Sequence, residues 1–137
     1  MTHLFTPLTI KNMELKNRIV MPPMCMYSAT EAGMATDFHV IHYASRAVGQ
    51  IGLITIEATA IEPDGRITVN DLGIWDEEHV IGLKWITKQI HANDAKASLQ
   101  IAHAGRKSKA TDTPKAPSAI AFEGYPTPSA MTVDDIK

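Results

Sequence analysis

The residues best suited to chemistry stand close together near the N-terminus. Pro22-Pro23-Met24-Cys25-Met26-Tyr27 sets the chain's single cysteine between two methionines, with a phenol two residues on. Thiol and thioether groups are soft and polarizable, and tyrosine joins an apolar ring to a hydroxyl. Such a set has the character of a ligand rim. The plainer readings are an inert buried thiol and an aromatic that packs on a loop. A second polar group, Gln100, interrupts the apolar run Lys96 to His103. A carboxamide buried there must find partners, either neighbouring backbone or a ligand. Arg106 and Lys107 follow at the end of that run, available for an anion or for an ordinary surface salt bridge. His39 and His42 share a predicted helix, but no cysteine or acidic residue stands near them at a metal-ligand spacing. A helix-face pair and no metal site is the expectation.

The elements that must position these groups can be read from apolar patterning. Ile19-Val20-Met21 is too short for a helix and suits a strand buried on both faces. Pro22 and Pro23 cannot donate to a sheet ladder, so that strand ends at once. Upstream, residues 5–17 alternate around Lys11-Asn12 and predict a small hairpin that lids one end of the fold. Thr36 or Asp37 caps a helix carrying Phe38, Ile41, His42, Ser45 and Val48 at helical spacing, ending near Gly49. Gly52 to Ile61 is β-branched and nearly continuous in apolarity, as a central parallel strand is. A loop with the turn Pro63-Asp64-Gly65 leads to a helix from Asp76 or Glu77 to about Asn93. Its apolar positions are Val80, Ile81, Leu83, Ile86 and Ile90. Lys96 to His103 is a third strand, and Pro114 to Pro128 a loop that keeps Ile120, Phe122 and Tyr125 for packing. Residues 131–137 read as a capped helix beginning.

Strands alternating with helices imply right-handed βαβ units and a parallel sheet. The unusual stretches all follow strand C-termini, where parallel α/β folds bind ligands. No Gly-x-Gly-x-x-Gly turn links a strand to a helix, which argues against a doubly wound sheet. The early hairpin fits a TIM (β/α)8 barrel with a plugged bottom. Such a barrel needs eight units and about 250 residues. The 137 residues here supply three strands, so a truncated barrel is expected.

Composition narrows the classes. With 45% hydrophobic and 20% charged residues and a net charge of −2, nothing calls for nucleic acid or an anionic membrane. No apolar run reaches eighteen residues, so neither a membrane span nor a leader is expected. One cysteine favours a reducing, cytoplasmic setting.

Several stretches together resemble one family. They are Leu4-Phe5-Thr6-Pro7, Leu15 to Met21, Pro23 to Ser28, Phe38-His39 with His42-Tyr43, and Ser45-Arg46-Ala47. Further matches are Gly52-Leu53-Ile54, Glu57-Ala58, Gly65-Arg66-Ile67, Leu72 to Trp75, Gln100 to Lys107 and Ala116 to Ala119. The sequence resembles the N-terminal portion of an Old Yellow Enzyme, within its bacterial NADPH dehydrogenase branch. The resemblance implies that residues 1–137 are the first part of a single FMN-binding TIM barrel. In that family NADPH reduces the flavin, which passes hydride to the β-carbon of an enone, enal or nitroalkene.

By resemblance, Pro22, Pro23, Met24 and Cys25 form the first flavin-contacting segment, with Cys25 tuning the flavin's reduction potential. Tyr27 matches a substrate-contacting tyrosine. Ala58 matches a position where backbone and ring approach closely, although ordinary strand packing explains a small residue equally well. Gln100 matches the residue that offers donor and acceptor to the flavin pyrimidine edge. Arg106 and Lys107 would bring positive charge toward the reduced flavin or the NADPH phosphates. The small-molecule alkene is the expected partner, in a homo-oligomer, dimer or tetramer, when full length. The alternatives are a dienoyl-CoA-reductase relative with an added iron–sulfur cluster, or an inactive piece that binds no flavin.

Overall fold

The computed structural model describes residues 3–136. An antiparallel hairpin comes first, β1 (Leu8–Ile10) paired with β2 (Met13–Leu15) across Lys11 and Asn12. Lys11 adopts φ 51, the left-handed geometry a tight turn demands. The hairpin is pinned to the connections that enter the following strands. Lys16 Nζ donates to Asn93 O at 2.7 Å, and Asn17 Nδ2 donates to Gln50 O at 2.7 Å. It therefore sits at the N-terminal end of the sheet, as a bottom lid would.

The main sheet contains β3 (Val20–Met21), β4 (Leu53–Ala60), β5 (Leu72–Gly73) and β6 (Lys96–Ala102). All pair in parallel with β4, which is the central strand. Along one edge β6 follows β4 from Leu53 to Ala60. The other edge is shared: β3 meets Leu53 and Ile54, and β5 meets Thr59 and Ala60. The start of β4 requires glycine, because a Cβ on Gly52 would lie 2.6 Å from Asn17 O. Two helices cover one face, α1 (Asp37–Val48) and α2 (Glu77–His91). Beyond β6, β7 (Lys115–Ala116) and β8 (Ser129–Ala130) form a short parallel pair, and α3 (Val133–Ile136) follows. Lys137, the last residue of the expected terminal helix, lies outside the described residues.

The core joins Met21, Ile54 and Ile56 of the sheet to Tyr43 and Ala47 of α1 and to Ile86 and Ile90 of α2. Burying each large aliphatic side chain contributes about 1.5–3 kcal/mol. Four expectations need correction. Leu72–Gly73 forms a strand inside a stretch that reads as loop, because the end of β4 offers it a free edge. The buried face of α1 is His39, His42, Tyr43 and Ala47, while Phe38, Ile41 and Val48 are exposed. The polar face turns inward because a buried carboxyl of β4 receives it. On α2, Ile81 is likewise exposed. The Pro-rich loop contains β7 and leads into its partner β8, and its Ile120 is exposed rather than packed.

Candidate active site

On the edge of β4 shared by β3 and β5, the stretch between their two pairings has no strand beside it. Residues 22–27 fill it. Once Pro22 and Pro23 end β3, the chain runs along β4 and contacts it through side chains. Met26 N–H donates to Glu57 Oε2 at 3.0 Å, and Ala58 N–H is directed at the Cys25 sulfur. Pro22 and Met24 are exposed, and Pro23, Cys25 and Met26 are half-buried. Tyr27 takes φ 51, rare for a bulky residue, and its hydroxyl reaches the Cys25 thiol. The following loop is braced on residues 66–71. Ala29 N–H donates to Asn70 O at 3.0 Å, and Asn70 Nδ2 donates back to Ala29 O at 3.2 Å.

The β4–β6 register decides which way Ala58 faces. Thr55 pairs with Ser98 and Ile56 with Leu99, but the next partners are Ala58 and Gln100. Glu57 is thus the extra residue of a β-bulge. The Thr55 and Ser98 hydroxyls meet at 2.8 Å on the open face, opposite the helices. Gln100, two residues beyond Ser98, shares that face. The bulge brings Ala58 onto it as well, where strict alternation would have turned Ala58 toward α1 and α2. Cys25, Ala58 and Gln100 therefore gather at the C-terminal end of the sheet. Gln100 is exposed, not buried as its apolar surroundings implied, because the open face has no covering layer among the described residues. Its carboxamide makes no hydrogen bond to another described residue.

Burial and neighbouring charge raise the titrating groups of this site. Burial pushes the Cys25 thiol above its ordinary pKa; the Ala58 N–H opposes this, and the charges of Asp71 and Glu57 reinforce it. The sulfur is thus an S–H donor rather than a thiolate nucleophile. Tyr27 is raised as well, by burial first and then by Cys25 and Asp71, with Lys109 opposing. Asp71 is itself raised by burial, although it accepts Ile67 N–H at 2.7 Å.

Arg106 and Lys107 are not brought to this cluster. Both stand over the Phe122 ring, Lys107 Nζ at 4.2 Å and Arg106 Cζ at 5.6 Å from its centroid. Arg106 also donates to Ile120 O at 3.4 Å, so neither the anion contact nor the alternative salt bridge is made among the described residues. His39 and His42 do share one face of α1, and it is the buried one.

The sequence model of the NADH:flavin oxidoreductase / NADH oxidase family matches residues 3–137. The chain belongs to that family. The motif resemblance to Old Yellow Enzymes holds in three dimensions. The Old Yellow Enzyme from Pichia sp. AKU4542 superposes with a TM-score of 0.89 at 29% identity, over 98% of this chain and 39% of that one. Morphinone reductase does so with a TM-score of 0.86 at 32% identity, over 97% of this chain and 40% of that one. In sequence, the NADPH dehydrogenase of Bacillus subtilis is 54% identical over 136 residues. That match spans 98% of this chain and 40% of the Bacillus protein. The fold is the N-terminal part of an Old Yellow Enzyme TIM barrel, and the open face of its sheet is the barrel's inner face.

Three residues of this flavin-oxidoreductase chain carry the site and were given no role from sequence: Glu57, Tyr43 and Asp71. Glu57 did leave a signal, as a lone carboxyl within the apolar run Leu53 to Ala60. Tyr43 left none, because its face of α1 does not follow the apolar spacing.

Proposed function

We propose that this chain is the flavin-contacting part of an FMN-dependent NADPH dehydrogenase that reduces activated carbon–carbon double bonds. The observation that carries the reading is the meeting of Cys25, Ala58 and Gln100 at one end of the sheet, with Ala58 and Gln100 in register. Bound FMN, reduced by NADPH, would supply hydride to the β-carbon of an enone, enal or nitroalkene. The chain's own residues fit such a ring. Ala58 leaves room for a flat group against β4. Gln100 offers a donor and an acceptor that no described residue engages, the pair that the flavin pyrimidine edge requires. Cys25 keeps its proton and presents an S–H donor, through which it would tune the reduction potential. Tyr27 directs a hydroxyl beside that thiol toward a bound substrate. Pro22, Pro23 and Met24 would line the ring's edge. Arg106 and Lys107 act at longer range, if they leave Phe122 for an anion. The complete enzyme is a cytoplasmic homo-oligomer acting on small molecules.

The test is flavin affinity. Gln100→Ala in the complete enzyme should weaken FMN binding by about 1–3 kcal/mol, because the ring's polar edge loses its partner. Titration of apoenzyme with FMN, followed by flavin fluorescence, measures it. An unchanged dissociation constant removes Gln100 from the site. A complete protein that takes up no flavin at all overturns the reading.

A further inference from the structure

Beneath the segment that carries Cys25 and Tyr27 lies a buried acid with three partners. Glu57 is 1% exposed, as is Tyr43, and His39 is fully buried. Glu57 Oε2 accepts the Met26 N–H at 3.0 Å and the Tyr43 O–H at 3.2 Å. The same Tyr43 oxygen accepts the Glu57 backbone N–H at 2.9 Å, which closes a ring around the bulge. On the other side Glu57 Oε1 faces His39 Nε2 at 3.3 Å, within ion-pair distance but off the line of a hydrogen bond. His39 Nδ1 accepts the Thr36 N–H at 3.1 Å, so a neutral ring carries its proton on Nε2, toward the carboxyl.

We propose that Glu57 is a positioning residue: it holds the Met26 amide and thereby sets where the Cys25 thiol and the Tyr27 hydroxyl stand. A purely structural role in the core does not call for a carboxyl, since a buried polar pair replaced as a whole by well-packed apolar groups is often as stable or more so. Here the carboxyl reaches outside its own strand to a backbone 31 residues away. The amide it grips lies between the two functional side chains. Pro22 and Pro23 lack N–H groups, so the segment has few other means of attachment to β4. Tyr27 also sits at φ 51, a conformation that persists only where its surroundings fix it. The catalytic consequence rests on the flavin site proposed above; the positioning itself does not.

Two charged groups from neighbouring elements act electrostatically on Cys25, Asp71 from the loop before β5 and Glu57 from β4, and Cys25 in turn acts on Tyr27 of its own segment. Tyr43 of α1 faces the same region. The experiment compares Glu57→Gln, Glu57→Leu and Tyr43→Phe in the complete protein. Met26 amide exchange and the pH profile of Cys25 alkylation, read by peptide mass spectrometry, are taken without flavin. Flavin absorbance and the split between kcat and KM are taken on the loaded enzyme. Glu57→Leu should speed Met26 exchange by about tenfold or more. Glu57→Gln keeps an acceptor for Met26, so exchange should stay within about twofold of the parent. Its Cys25 profile should nevertheless move to lower pH, because a nearby negative charge is gone. Unchanged Met26 exchange in a folded Glu57→Leu protein overturns the proposal. If that variant does not fold, an unmoved Cys25 profile in Glu57→Gln with unmoved Met26 exchange in Tyr43→Phe overturns it. Failure of the parent to bind flavin counts against the functional reading alone, since exchange and alkylation still report on Glu57.

Discussion

Helices α1 and α2 begin with the same device and use it for different ends. Each carries histidine at its third residue, His39 in one and His79 in the other. In both, Nδ1 accepts the N-cap amide, Thr36 N–H at 3.1 Å and Asp76 N–H at 3.2 Å. This is a capping box with imidazole in place of the usual Glu or Gln. The free Nε2 then differs. In His79 it donates to Ala32 O at 2.9 Å and closes the arrangement on a loop carbonyl. In His39 it faces Glu57, whose carboxyl reaches the Met26 amide under the candidate site. One cap is complete in itself. The other is the far end of a chain of contacts that leads to Cys25. Identical local chemistry thus serves stability alone where its last partner is backbone, and the site where that partner is a buried acid.

The largest expected effect breaks the self-contained side. Trp75 packs against His79, with ring centroids 4.5 Å apart, and Arg66 stands over Trp75 at 5.3 Å. A Cβ on Gly73 would clash with the six-membered ring of Trp75. Gly73→Ala should therefore lower stability by about 3 kcal/mol, seen as an earlier denaturant midpoint. Its Cys25 alkylation profile should match that of the parent under folding conditions.

Removing each histidine sharpens the contrast. His79→Ala and His39→Ala should each cost about 2 kcal/mol in denaturant titrations, from a lost cap and lost packing. Only His39→Ala should also speed exchange at Met26. Equal Met26 exchange in the two variants would mean that the helices do not differ in the way described.

The smallest effect concerns a third histidine with the same habit. His103 Nδ1 accepts Gly105 N–H at 2.9 Å, and Nε2 donates to Glu62 Oε1 at 2.7 Å. This pair is partly open to solvent. The His103 hydrogen bond, helped by Lys115, holds the Glu62 carboxyl below its ordinary pKa, with burial opposing. A depressed folded-state pKa stabilises the fold above the unfolded carboxylate range. That contribution is lost as pH falls through the folded value. Solvent screening limits it to no more than about 1 kcal/mol. An NMR titration of the Glu62 carboxyl should give a midpoint below that of an exposed glutamate, and His103→Ala should raise it.

The Met26–Glu57 contact also marks where sequence reading stopped. Helix starts were legible at Thr36 and Asp76, because a cap is decided by residues three or four apart. Strand ends were legible at Pro22 for the same local reason. Glu57 was visible only as an oddity within β4, since its partner lies in another loop.

The sequence alone determined the element order, the parallel sheet, the caps and the family, because periodicity, prolines and motif spacing act over a few neighbouring residues. Tertiary structure alone decided three further things. A bulge at Glu57 turns Ala58 toward Gln100. The polar side of α1 faces inward. Leu72–Gly73 becomes a strand on the free edge of β4. Each depends on a surface supplied by residues distant in the chain, and no local pattern records which surface that will be.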